Sequence, residues 1–307
     1  MSKANAHMRM LLVACLWAAL AGCCKRKSDA GETPSATGEP TATANPRETR
    51  AVKIDSVIKC FNAAMRINKS ADYYFRRLRG GKPSELRTPS ILLKPQSNTS
   101  QLCDDAKSVP APAMPEIDKL MPNYASLTAK LTKQLDEMDQ YYRTKEYKSD
   151  KFGKGIEMHE AFKKDHEAFQ KLHDQMSNAI DAVTDKRDDE TIQEESAKKG
   201  LRYHSLVFLR DAKMLSREIS REKPDAKVFG DLKAKLEANY EGFSDHASAN
   251  PDQVGKAFMF SMYKSRADDF IGSVRSASPK PRERDLGNML DKYNAMIDAS
   301  NLVKWRE

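Results

Sequence analysis

Three histidines seven residues apart are the first side chains here whose type and spacing could do chemistry. They open the runs His159-Glu160-Ala161-Phe162, His166-Glu167-Ala168-Phe169 and His173-Asp174-Gln175-Met176. On a helix they share a face, with consecutive imidazoles about 10.5 Å apart along the axis, too far to bind one metal ion without ligands from elsewhere. Such a stripe could take up protons near neutral pH or hold a transition metal weakly. The plainer reading, which we adopt, is a short duplication whose Phe residues pack while the His residues border the core. Cys60 and Cys103 form a second candidate pair. In an oxidising compartment they would form a disulfide; otherwise Cys60, beside Phe61, is a small buried hydrophobe and Cys103 a free loop thiol. Arg76, Arg77, Arg79, Lys82 and Arg87 make a basic patch that suits a solvated helix end, where cations face the negative end of the dipole. The same patch could meet lipid head groups or an anionic polymer. HExxH, CxxC, a Gly-rich phosphate loop and GxSxG are all absent from the sequence. We therefore expect no catalytic residue, no cofactor and no metal, and read the chain as a non-enzyme.

The N-terminus carries a different chemistry. Lys3 and Arg9 precede an uncharged apolar run from Met10 to Leu20, long enough for a secretory h-region and far short of the roughly 20 residues that span a bilayer. Leu20-Ala21-Gly22-Cys23 follows and resembles the bacterial lipobox. That motif implies cleavage between Gly22 and Cys23 and a diacylglycerol on the Cys23 sulfur, so residues 1–22 read as a lipoprotein signal peptide. Two or three acyl chains, at about 0.8 kcal/mol per buried methylene, would make attachment to membrane lipid practically permanent. Cys24 stands where an Asp commonly marks inner-membrane retention, so an outer-membrane position facing the periplasm is expected. Losing Lys3 and Arg9 lowers the formal charge of +8 by two, a mild excess that suits a mixed surface and no nucleic-acid partner. Residues 23–51 are rich in Thr, Pro, Ala and Glu and read as a disordered tether.

With 39% hydrophobic, 31% charged and 7% aromatic residues, the rest favours helix over a β-sandwich. Periodicity places a first helix from about Val52 to Leu78, stopped by Gly80-Gly81. A long irregular connection with six prolines follows, then a helix from Pro115 to about Tyr147 whose stripe is Leu120, Tyr124, Leu127, Leu131, Leu135, Met138 and Tyr142. The histidine helix comes next, with Asp185 to Lys199 as either a turn or a solvated continuation. Further helices carry Leu201 to Ile219, Phe229 to Ala247, a stretch capped by Asn250-Pro251 and running to Val274, and Arg282 to Lys304. The expected fold is all-α: an elongated bundle of six or seven amphipathic helices filling one domain, 52–307, behind the tether.

Phe61-Asn62-Ala63 with Asn68, and Tyr293-Asn294-Ala295 with Asn301, give the first and last helices a shared theme. Asn in a helix interface needs a partner and can fix register, so Asn62, Asn68, Asn294 and Asn301 are candidate register-setting residues. With the lipobox and the tether, these motifs resemble the bacterial lipoproteins of the family of unknown function DUF3829, over roughly Val52 to Trp305. The resemblance implies a helical envelope lipoprotein and supplies no reaction, cofactor or ligand. The expected role is a non-enzymatic structural or protein-interaction module with an envelope protein partner. The alternative is a periplasmic ligand-binding lipoprotein for a metal ion or an anionic envelope component.

Overall fold

The computed structural model describes residues 46–85, 97–221 and 223–305. The signal segment, Gly22, Cys23, Cys24, Arg87 and residues 23–45 lie outside the described residues, with the expectations that fall on them. The described residues are helical as expected, with nine α-helices rather than six or seven. They form two compact units that divide between Ala182 and Val183, where the sequence suggested one domain.

In the first unit, α1 (Pro46–Leu78) buries Ile54, Val57, Phe61, Asn68 and Leu78 at three-four spacing or its multiples. It starts earlier than the periodicity indicates: Pro46 has the φ of a first turn and Glu48 faces the dipole's positive end, so residues 46–51 are helix rather than tether. Past its end, Arg79 and Gly80 take the left-handed conformation, with φ of 50° and 83°. Helix α2 (Thr99–Ser108) lies inside the stretch read as irregular. Its buried residues are Thr99, Cys103 and Ala106, small side chains that a hydrophobic pattern does not register.

Helix α3 (Pro115–Arg143) starts at the expected proline. Its inner stripe takes Ile117, Met121 and Thr128, leaving Leu120 and Leu127 half-buried. Helix α4 (Gly153–Glu195) absorbs most of the charged stretch as continuous helix and carries on across the boundary between the units. Phe61 meets Tyr124 and Tyr74 meets Tyr142, so α1 and α3 run parallel. Phe61 with His173, Asn68 with His166 and Tyr74 with His159 set α4 antiparallel to α1. Two parallel neighbours require a return connection comparable in reach to the helix, which explains the long Pro-rich segment that carries α2.

The second unit gathers the end of α4 with α5 (Leu201–Ile219), α6 (Ala226–Ala249), α7 (Pro251–Lys256), α8 (Phe260–Arg275) and α9 (Glu283–Asn301). Phe208, Leu215, Phe243, Tyr263, Phe270 and Met296 are among the fully buried side chains of its apolar core. The expected single helix from Asn250 to Val274 is broken. Met259 is left-handed (φ 65°), and Phe258 pairs its backbone with Lys304 in an isolated antiparallel bridge. Asn250 occupies the N-cap position of α7 without the expected side-chain cap; its amide donates instead to the His246 carbonyl at the end of α6.

Candidate functional site

The buried face of α4 follows strict three-four spacing: His159, Phe162, His166, Phe169, His173, Met176 and Ile180. The histidines therefore do not border the core. They occupy one of its two columns, at 9%, 3% and 1% exposure, with Phe162, Phe169 and Met176 in the other.

Each ring meets a polar group from a facing helix. Tyr74 of α1 lies 3.2 Å from His159 Nδ1 and 3.2 Å from the Tyr142 hydroxyl of α3. His166 Nε2 lies 2.8 Å from Asn68 Oδ1; the amide oxygen only accepts, so in this pairing Nε2 carries the proton. His173 Nδ1 is 2.7 Å from the Tyr124 hydroxyl of α3. Phe61 stacks on the His173 ring with centroids 4.0 Å apart, and His173 Nε2 has no hydrogen-bond partner among the described residues.

Burial governs the electrostatics of this ladder. It pushes the His173 imidazole down to about 3, with His166 adding to the effect. Burial also lowers His159; Glu160 partly opposes it and Lys163 reinforces it. Tyr74 and Tyr124 are held protonated well above the ordinary phenol range, again chiefly by burial. At neutral pH His159, His173, Tyr74 and Tyr124 are therefore uncharged, within a buried hydrogen-bonded seam closed to a substrate from outside.

Cys60 and Cys103 are brought together and bonded, both fully buried, with Cα atoms 4.6 Å apart. The bond fastens α2 to α1 one residue before Phe61. Of the candidate asparagines, Asn68 lies in the α1–α4 seam. Asn62 Oδ1 and Asn294 Oδ1 are buried and accept no hydrogen bond from the described residues, and Asn301 is half-buried at the end of α9. Of the basic patch, Arg76, Arg79 and Lys82 are exposed, and Arg77 lies over the Tyr73 ring.

Two buried cations went unmarked in the sequence reading. Lys53 bonds the Pro112 carbonyl at 2.9 Å and pairs with Asp118 at 2.8 Å, beside a cleft of about 140 Å³. In the second unit, Lys213 of α5 meets Asp185 and Asp188 of α4, each at 2.8 Å, and Thr184 at 3.2 Å. Burial raises Asp185, but Lys213 and Arg217 outweigh it and hold the carboxyl below its usual range. The available signal for both was a Lys falling on an apolar stripe, beside Ile54 and beside Ala212.

Among the described residues, no group of three or more His, Cys, Asp or Glu side chains could hold a metal ion, and no helix is long and apolar enough to cross a membrane. A family model described as "Protein of unknown function (DUF3829)" matches residues 48–302. The chain is also similar to the "Uncharacterized protein YiiG" of Escherichia coli (strain K12), at 26% identity over 98% of this chain and 100% of that protein. No solved structure matches it.

Proposed function

This chain belongs to the DUF3829 family, and on that premise we propose that it is a lipid-anchored protein of the bacterial cell envelope whose helical region is a non-enzymatic structural or protein-interaction module. The anchor rests on Cys23, placed directly after an apolar run and Leu20-Ala21-Gly22. The module reading is carried by one observation: the side chains best suited to chemistry are engaged with one another inside the helical units. His159, His166 and His173 bond Tyr74, Asn68 and Tyr124, and Lys213 is enclosed by Asp185 and Asp188. The cleft beside Lys53, about 140 Å³, and another beside Pro281, about 250 Å³, are smaller than the roughly 300 Å³ at which drug-sized sites begin. On this reading Cys23 holds the chain in the outer membrane, facing the periplasm.

A second reading, a ligand-binding lipoprotein for an anionic envelope component, draws on the exposed Arg76, Arg79 and Lys82 at the end of α1. Cell fractionation combined with cross-linking tests both. Wild-type chain should stay with membranes through a high-salt wash and cross-link to an envelope protein, while Cys23→Ser should leave an uncleaved precursor or a soluble product. Release of the wild type by salt would contradict the anchor. Loss of retention or cross-linking on reversing the charge of Arg76, Arg79 and Lys82 would favour the second reading.

A further inference from the structure

We propose that His173 is an acid-operated latch in the first unit: when it takes up a proton, the seam between α4 and the α1–α3 pair opens. Hydrogen-bond capacity changes with the charge of the ring. A neutral imidazole has one donor and one acceptor, and a cationic one has two donors. Nδ1 has a partner, the Tyr124 hydroxyl, which can accept as well as donate. Nε2 has none among the described residues, and Phe61 lies flat against the ring. A proton therefore creates a buried cation with an unmatched N–H, the combination that a closed helical interface tolerates least.

Charges that could compensate stand elsewhere in the seam. From α1, the ring meets Phe61; from α3, Tyr124; along α4, His166 and Phe169. The neighbouring Lys171 and Asp174 of α4 are exposed. Glu160 lies 4.0 Å from His159, and Asp72, buried on α1, falls between the levels of Asn68 and Tyr74, toward the His159 end. Lys163 acts on His159, at the far end of the ladder. Burial already holds the His173 imidazole far below its ordinary range, as this surrounding requires.

The Cys60–Cys103 bond decides which joint yields. With α2 fastened to α1 beside Phe61 and α3 packed on α2, the joint left to side-chain contacts alone is that of α4, whose Asp165 meets Lys130 and Gln134 of α3 at 2.8 and 2.7 Å. Departure of α4 gives His173 access to water and bares Phe61, Phe162, Phe169 and Met176, an apolar stripe hidden at neutral pH. Acid would thus convert a sealed unit into one that presents a hydrophobic surface.

Amide hydrogen exchange on the full chain, read by mass spectrometry between pH 7 and pH 4.5 and corrected for intrinsic exchange rates, tests this. Protection of residues 156–180 should fall about thirtyfold between pH 7 and pH 5, while α8 and α9 keep theirs. His173→Gln, which retains a polar group but cannot become charged, should remove most of that fall and leave the smaller share that His159 contributes. Unchanged wild-type protection, an identical fall in His173→Gln, or a parallel fall in α8 and α9 would each overturn the latch. Should the variant not fold, the imidazole proton resonances of the wild type decide. His173 should stay neutral until the segment opens, and titration near pH 6.5 with α4 still protected would refute the proposal.

Discussion

Removing the Cys60–Cys103 bond should weaken the first unit by an amount its loop length fixes. The two residues are 43 apart in sequence, and both are fully buried. In the chain-entropy treatment, closing a loop of that length removes about 13 cal/mol/K from the unfolded ensemble, or about 4 kcal/mol at 25 °C. Comparing oxidised wild type with Cys60→Ala/Cys103→Ala includes a small packing loss as well, so reduced wild type is the cleaner reference. For a unit of this size, guanidinium chloride unfolding has a slope of about 4 kcal/mol per molar, so the midpoint should drop by about 1 M. Far-UV circular dichroism follows both units, whereas fluorescence of Trp305, which packs edge-on against Phe260, follows the second. The expected result is an early helical transition that moves with the bond and a tryptophan transition that does not. Midpoints of oxidised and reduced chain agreeing within about 0.2 M would refute the assignment of the bond as the clamp on α2.

Other perturbations address the remaining contacts. His173 is folded with its imidazole pushed down to about 3, below its unfolded value of 6.5, so it favours the folded state fully above pH 6.5 and progressively less as pH falls toward 3. Its share of stability should drop by about 2 kcal/mol between pH 7 and pH 5, measured by urea unfolding at each pH. Phe169→Ala, at a fully buried position, should cost about 3–5 kcal/mol and lower the thermal midpoint of the first transition. Lys213→Ala leaves the buried Asp188 with only the longer Arg187 pairing at 3.6 Å and should cost about 3 kcal/mol, whereas Lys213→Met with Asp188→Leu should recover most of that loss in denaturant titrations.

Long periodic helices were legible in the sequence because burial writes itself into three-four spacing. Tyr124, Leu131, Leu135, Met138 and Tyr142 fall where that spacing puts them. That spacing carries no signal where the buried face is not apolar. The histidines were placed at the border of the core because isolated imidazoles carry no hydrophobic signal, although the position seven residues after His173 is Ile180, a fully buried member of the same column. Helix α2 was missed for the same reason, its inner face being Thr, Cys and Ala. The break at 257–259 was hidden because it depends on a partner, Lys304, more than forty residues away in sequence. Asn68 could be marked as a residue in need of a partner, but only the antiparallel setting of α4 identifies that partner as His166.

The central claim is that Cys23 carries the anchor, and the most direct measurement is the intact mass of the chain purified from bacterial membranes, with metabolic labelling by a palmitate analogue. The account predicts a chain that begins at Cys23, heavier than its sequence by a diacylglycerol and an N-terminal acyl group, with label that disappears in Cys23→Ser. An unmodified chain, or label that persists in Cys23→Ser, would contradict it.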